Sequence, residues 1–463
     1  MEKQDLIVIG GGPGGYVAAI QAAKLGLKTA VVEEDQFGGV CVNWGCIPTK
    51  ALLRNAEIYQ LILRGKEWGF RIPECDVDWP AVIKRSRRIA RRMATGVEFL
   101  LKQNNVSMIQ GRGRLAGTRE IEVTKPDGST ESIAADGIIL ATGAHARKLP
   151  GVDFDGERII TSKEALALEE VPKRLLIVGA GAIGVEFAQI YGDFGSEITI
   201  VEMLPELLPV EDEEISLELR RLFKKRGWKI HTGTQVTSLV RREDEVVYRM
   251  EKEGVAGEFT ADMALVAIGV EGNVKDLGLE AVGIHTAKGF IKTGSFMETG
   301  VPGIYAIGDV AGPPWLAHVA SHEGITAVLH FAGKDPEPAD SKFVPACTYC
   351  HPPVASVGLT ERQAAEQGIK TRIGRFPFRA NGRSIAQGES EGFIKLIFSE
   401  ADEKLIGAHI LGPEAPELLA ELGLAATAGT TRHELLGTIH AHPTLSEVIH
   451  EAAGEAFGEA IHI

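Results

Sequence analysis

The chain has 463 residues, 44% of them hydrophobic and 24% charged, which is material for roughly three or four soluble domains. Its 63 acidic and 49 basic residues leave a net charge of −14, which argues against nucleic acid as a partner and permits docking on a basic protein module. No run reaches the ~18 apolar residues of a membrane helix. Met1 to Gln4 leads at once into a strand without an export signal, so a cytoplasmic location is expected.

In chain order, Asp5 to Ile9 reads as a strand, Gly10 to Gly15 as a glycine turn, Tyr16 to Leu25 as a helix and Lys28 to Val32 as a second strand. Helices are expected over 41–64 and 79–104. The latter has a basic face (Lys84, Arg85, Arg87, Arg88, Arg91, Arg92) that reads as solvated. Strands follow over Val106–Gln110, Ile121–Thr124 and Gly137–Leu140, and Ala141 to Pro150 looks like a crossing between domains. Residues 174–202 repeat the opening pattern, and 228–268 are strand-rich. A second crossing lies near Gly269 to Asn273, and Gly303 to Val310 is a strand ending in Gly308-Asp309. From about Lys342 the pattern changes to strands (Gly392–Phe398, Leu405–Gly412), a helix over Pro416–Thr427 and a last helix after Pro443. The expectation is an α/β chain: two Rossmann-like dinucleotide-binding units, within 1–145 and 146–271, and a distinct α+β C-terminal domain at 342–463.

The two glycine turns carry the nucleotide signal. Gly10, Gly12 and Gly15 form one G-x-G-x-x-G, and Gly179, Gly181 and Gly184 form another. Each follows an apolar strand and opens a helix, and each is followed 18 residues after its last glycine by a carboxylate, Glu33 or Glu202. The turn lets backbone approach a pyrophosphate at a helix N-terminus, and the carboxylate accepts ribose hydroxyls. Glu202 would repel a 2′-phosphate and has no Arg beside it, which favours NAD over NADP.

Cys41 and Cys46 follow the first turn directly. Five cysteines in all (the others are Cys75, Cys347 and Cys350) do not make a secreted disulfide framework. A redox pair, two buried thiols and half of a zinc site are the readings, and no matching second pair stands at the spacing a zinc site needs. In a regular helix five residues advance ~7.5 Å, whereas a disulfide wants Cα atoms about 4.4–6.8 Å apart. Closing the bridge therefore requires a kink, for which Gly45 and Pro48 are suited. Cys347 and Cys350 are expected to be structural thiols on a strand, and no metal site is expected.

The run Gly38 to Lys50 (GGVCVNWGCIPTK) resembles the active-site segment of the pyridine nucleotide–disulfide oxidoreductases. Ala141-Thr142-Gly143 resembles that family's first domain crossing, Ile304 to Asp309 its second flavin motif, and His440 to Glu447 (HAHPTLSE) its C-terminal base motif. The four motifs stand in order over essentially the whole chain.

The resemblance implies FAD in the first unit and NAD in the second. Gly10, Gly12, Gly14, Gly15, Glu33, Gly39, Gly113, Thr142, Gly143, Asp309 and Ala317 would then line the flavin nucleotide, with a central domain at 272–341 completing that site. Gly179, Gly181, Ile183, Gly184, Glu202, Val236 and Gly269 would line the nicotinamide nucleotide. Lys50 would sit by the flavin and pair with Glu186. Cys46 would face the flavin, Cys41 would exchange with substrate, and His442, oriented by Glu447, would be the acid/base supplied by a second subunit. The C-terminal domain would thus be a dimerisation domain and the protein a homodimer. Within the family the chain is most similar to members that oxidise dihydrolipoyl groups with NAD. This implies as partners lipoyl domains and the E2 subunit-binding segment of 2-oxo acid dehydrogenase complexes, or lipoylated H protein. Another NAD(P)H-dependent disulfide or metal-ion reductase is the alternative. One departure stands at Val270-Glu271-Gly272-Asn273, where the family commonly has Arg and Pro-Asn.

Overall fold

The computed structural model describes residues 3–339 and 342–462. Compactness groups the chain into two units, one of Met1–Leu52, Asp78–Arg147 and Gly269–Asp340, the other of Leu53–Val77, Lys148–Ile268 and Ser341–Ile463. The architecture is α/β, with two Rossmann-like sheets and an α+β C-terminal part.

In the first unit the strands Ser107–Gln110, Thr29–Glu33, Gln4–Ile9 and Thr130–Leu140 lie side by side and parallel. In the second, Lys229–His231, Glu197–Val201, Arg174–Val178 and Met263–Val266 repeat the same order, again parallel. The repeat read from two glycine turns thus extends to strand order. The middle strand of each sheet carries an unbroken apolar run, Leu6–Ile9 and Leu175–Val178, as sheets covered on both faces require: Leu6, Ile7 and Val8 are fully buried, as are Leu176 and Ile177.

The strand expected over Gly137–Leu140 runs over Thr130–Leu140. Its second half joins the parallel sheet, while its first half pairs antiparallel with Glu120–Thr124. The two expected crossings meet as a ribbon, with Ala144–Ala146 antiparallel to Val270–Gly272. Asn273 ties them: its backbone N–H donates to Gly143 O at 2.9 Å and its side-chain amide to Thr142 O at 2.8 Å. At the departure from the family pattern, Glu271 lies 3.5 Å from Arg147, the residue that follows strand Ala144–Ala146.

The C-terminal part is a five-stranded antiparallel sheet in the order Ala346–Thr348, Val354–Gly358, Leu405–Leu411, Phe393–Ser399, Thr371–Pro377. Helices Ala415–Ala428 and Glu447–Glu455 cover it over one apolar core. Lys395, 1% exposed, donates to Asp212, Glu214 and Glu361 at 2.7–2.8 Å. This ties the start of helix Glu213–Lys225 to the C-terminal sheet, and a buried charge is tolerated because it is paired and bonded.

Beside it, Glu211 is buried, and its Oε2 has no hydrogen-bond partner among the described residues. Burial pushes its carboxyl up to about 7, with Ser356 pulling downward and Asp212 adding to the rise. A raised acid favours the fold below the ordinary carboxylate range, and that stability is lost as pH climbs through about 7. Glu211→Gln, which fixes the neutral form, should melt with the parent at about pH 4 and above it at about pH 8. The gain should be on the order of 3 kcal/mol, from ~1.4 kcal/mol per pKa unit. Identical pH dependence of the melting temperature in both proteins would remove Glu211 from the account.

Candidate active site

Both glycine turns are built alike. Gly10 and Gly179 have φ of 108° and 103°, as the tight turn requires. A Cβ on Gly15 would stand 1.9 Å from Gly10 O, and one on Gly184 2.1 Å from Gly179 O, so each third glycine is fixed by the helix closing on the turn. The middle glycines differ. A Cβ on Gly181 would meet nothing within 4 Å, and one on Gly12 only Gly39 Cα at 3.8 Å. Their missing side chains leave room above the backbone. Gly12 and Gly181 are also the N-caps of helices Pro13–Lys24 and Ala182–Asp193, neither of which has a side-chain cap. The first N–H groups of both helices are therefore left to an anion.

The two carboxylates match as well. Glu33 accepts from the N–H of Gly11 at 2.7 Å and of Asp35 at 2.8 Å, and Glu202 from Ala180 at 2.7 Å and Leu204 at 2.8 Å. Burial raises the Glu33 carboxyl despite those two bonds. Each carboxylate keeps lone pairs for a ribose.

The segment expected as one helix over 41–64 is two, Gly39–Trp44 and Cys46–Leu63, broken at Gly45. The break brings Cys41 and Cys46 together in a disulfide with Cα atoms 4.7 Å apart. A Cβ on Gly45 would lie 3.1 Å from Val40 O and 3.3 Å from Cys41 Cα, so glycine lets the chain fold back on itself. Pro48 plays no part in the break and sits in the first turn of the second helix, where its missing N–H costs nothing. Thr49 donates its hydroxyl to Gly45 O at 2.7 Å and fastens that turn. Gly39, at φ 60°, packs on Gly12, where a Cβ would stand 2.6 Å from the Gly12 Cα, so the redox turn rests directly on the first nucleotide turn. Asn43, 1% exposed, donates to the carbonyls of Gln36, Phe37 and Gly39 at 3.0–3.3 Å.

The basic face of helix Trp79–Gln103 is not wholly solvated. Arg85 donates to Ala51 O at 3.2 Å, and Arg87 reaches Asn43 O and lies over the Trp44 ring.

Gly113 packs over Ile9 and Val32. Thr142 donates to Asn273 O at 2.9 Å, and Gly143 has φ 72°. Asp309 lies in the turn Gly308–Ala311 and Ala317 opens helix Ala317–Phe331. That helix crosses Pro13–Lys24 closely enough that a Cβ on Gly14 would stand 3.0 Å from Ala320 O. Burial raises the carboxyl of Asp309, which accepts no hydrogen bond from the described residues. A shielded acceptor without a donor fits a ligand that brings hydroxyl groups. Sequence reading missed its neighbour Glu323, which accepts from the Gly308 N–H at 2.6 Å and is pushed up to about 7 by burial, with Asp309 contributing. Its only signal in the sequence is its place on the helix that opens at Ala317.

In the second unit Ile183 stands exposed in the first turn of its helix, while the Val236 side chain is 4% exposed within the core. Gly269, at φ 113°, begins the second crossing in the first unit. Lys50 is half-buried on helix Cys46–Leu63 in the first unit. Glu186 is buried in the second unit, where it accepts from the Tyr349 N–H at 3.0 Å.

His442 Nδ1 lies 2.8 Å from Glu447 Oε1, and Glu447 Oε2 accepts from the Thr444 N–H at 2.8 Å. Partial burial opposes ionisation of Glu447, but the Thr444 N–H and His442 together hold its carboxyl below the usual range. The His442 side chain is 79% exposed. His440 instead turns inward, its Nε2 2.8 Å from Glu421. Cys347 is on strand Ala346–Thr348, whereas Cys350 lies past its end, buried, with its thiol pushed up by that burial. Neither forms a disulfide, and no cluster of metal-ligating side chains occurs among the described residues. No helix among them is long and apolar enough to cross a membrane.

Residues 4–324 match the family model of the pyridine nucleotide-disulphide oxidoreductases, and 344–453 match that family's dimerisation domain. The chain is 48% identical over 453 residues to dihydrolipoyl dehydrogenase of Chlorobaculum tepidum, covering 98% of this chain and 97% of that one. It is 47% identical over 462 residues to dihydrolipoyl dehydrogenase of Zymomonas mobilis, covering 99% of each. Among solved structures, LpdA of Mycobacterium tuberculosis superposes with a TM-score of 0.90 at 32% identity, over 97% of this chain and 98% of that one. The chain belongs to the pyridine nucleotide–disulphide oxidoreductase family, and its C-terminal part is the family's dimerisation domain.

Proposed function

We propose that this protein oxidises dihydrolipoyl groups with NAD⁺, acting as the dihydrolipoyl dehydrogenase of a 2-oxo acid dehydrogenase complex or glycine cleavage system. The observation that carries the reading is the Cys41–Cys46 disulfide seated on the first nucleotide turn. The names of relatives at 47–48% identity over nearly the full length support the substrate class. The family's cofactors are FAD and NAD, and the residues present fit both.

FAD would be held by Gly10, Gly12, Gly14, Gly15, Glu33, Gly39, Gly113, Thr142, Gly143, Asp309 and Ala317, with Lys50 near its reactive ring and paired with Glu186. NAD would be held by Gly179, Gly181, Ile183, Gly184, Glu202, Val236 and Gly269. Residues 1–145, 146–271, 272–341 and 342–463 would serve as FAD, NAD, central and dimerisation domains. Bound FAD supplies two-electron chemistry, taking a pair from a dithiol and yielding it as hydride to a nicotinamide.

The chain's own residues carry the sulfur steps. A substrate thiolate attacks Cys41, the bridge opens and Cys46 leaves as thiolate. The second substrate sulfur then displaces Cys41, so the substrate departs as a cyclic disulfide and its two electrons stay on the cysteine pair. His442 takes the thiol proton, and Glu447 holds the imidazole so that the nitrogen facing substrate is the basic one. In a homodimer, His442 and Glu447 of one copy would serve the bridge of the other. The lipoyl group would arrive on a lipoyl domain or lipoylated H protein, with the acidic surface docking on a basic E2 segment, in the cytoplasm.

Assay of the purified protein with dihydrolipoamide and NAD⁺, against NADH and oxidised glutathione, tests the reading. Turnover with glutathione alone would replace it. Because Glu202 would face a 2′-phosphate with like charge, kcat/KM for NAD⁺ should exceed that for NADP⁺ at least about tenfold, and equal values would unseat Glu202 from its role.

A further inference from the structure

We propose that Arg87 is a positioning residue of the redox turn: stacked on Trp44 and bonded to the Asn43 carbonyl, it keeps Cys41 and Cys46 within closing distance while the bridge is open. This rests on reading the pair as the redox centre. Asn43 and Trp44 lie between the two cysteines, in the short helix that stops at Gly45. A helix end leaves carbonyls without intrahelical donors, and the guanidinium serves one of them, at Asn43. The same group lies 3.9 Å from the centroid of the Trp44 ring.

No carboxylate explains this placement. Among the described residues the charged group acting on Arg87 is another cation, Arg91, and burial and that repulsion together lower its pKa from the ordinary value. A half-buried arginine with its compensating contacts inside a six-residue redox turn is held there for the turn. Asn43 fixes the turn from one side through three carbonyls, and Arg87 fixes it from the long helix Trp79–Gln103. Once the S–S bond is cut, these contacts, with the Thr49 hydroxyl on Gly45 O, resist separation at the Gly45 break. Proximity of the two sulfurs sets how readily the bridge re-forms.

The test is thiol–disulfide exchange of the holoenzyme with dithiothreitol. One dithiothreitol gives two electrons and two protons to the bridge and leaves as its cyclic disulfide, and alkylation counts the Cys41 and Cys46 thiols at equilibrium. Arg87→Met should raise the dithiol-to-disulfide ratio about tenfold, the worth of a charge-assisted hydrogen bond with a cation–π contact. Arg87→Lys should stay near Arg87→Met, because an ammonium has no plane to stack. Trp44→Leu should move the ratio the same way and guards against a folding defect confined to position 87. If Arg87 instead acts by its charge on the thiolates, Arg87→Met would lower the ratio and Arg87→Lys would restore it. That result, or an unchanged ratio in Arg87→Met and Trp44→Leu, overturns the proposal. Failure of the parent to oxidise dihydrolipoamide would sink the proposed function and leave this equilibrium readable.

Discussion

Cys46→Ser protein is expected to lose dihydrolipoamide-dependent NAD⁺ reduction by at least ~10³-fold, the scale of deleting a covalent catalytic group. The substitution changes one atom at the first residue of helix Cys46–Leu63, and the turn keeps its other fastenings, the Thr49 hydroxyl on Gly45 and the Asn43 amide on three carbonyls. Secondary structure, flavin content and melting behaviour should therefore stay near those of the parent while turnover collapses. The collapse follows from the chemistry of the leaving group: a thiolate can depart from a sulfur under attack and hold the electron pair, and a serine hydroxyl forms no bridge to open. Cys41→Ser should lose turnover to the same degree, because the bridge is one functional unit and its two deletions do not add. Stopped-flow mixing with dihydrolipoamide, with NAD⁺ reduction followed at high substrate, measures the loss directly. Turnover within tenfold of the parent in either variant would take the Cys41–Cys46 bridge out of the reaction path and the proposed function with it.

What the sequence made legible was local. The glycine spacing, the carboxylates 18 residues on and the need for a break between Cys41 and Cys46 follow from backbone geometry over short stretches, and the structure builds them as read. Even there the means was half right, since Gly45 makes the break and Pro48 only opens the following helix. What stayed hidden depends on partners distant in sequence. Arg87 reads as one more cation on a solvated face, because nothing near position 87 says that Trp44 and the Asn43 carbonyl lie beneath it. Glu323 is an ordinary helical glutamate until the Gly308 N–H arrives over it. Lys395 interrupts an apolar strand, Phe393–Ser399, and its acceptors stand up to 183 residues away. The strand Arg112–Gly117 escaped because its apolar residues are few; it pairs with Glu120–Thr124 in a ribbon that faces water on one side.

His442→Gln is expected to lower kcat/KM for dihydrolipoamide by about 10²–10⁴-fold near neutral pH, the ordinary worth of a positioned general base. The imidazole is held by one side only: Glu447 takes its Nδ1, and Glu447 is itself pinned by the Thr444 N–H. A glutamine keeps the polarity and cannot accept a proton, so the loss should shrink as pH rises through about 8.5, where a free thiol ionises without help. A loss independent of pH would point to damaged geometry instead. Where His442 acts is a separate question, and mixed dimers decide it. A dimer of one Cys46→Ser chain with one His442→Gln chain contains one complete set of groups if the histidine serves the other copy, and none if it serves its own. The isolated mixed dimer should then show roughly half of parental turnover, from one working site in two under twofold symmetry. The His442 side chain is 79% exposed, open to a second surface, and an inert mixed dimer would confine His442 to the bridge of its own chain.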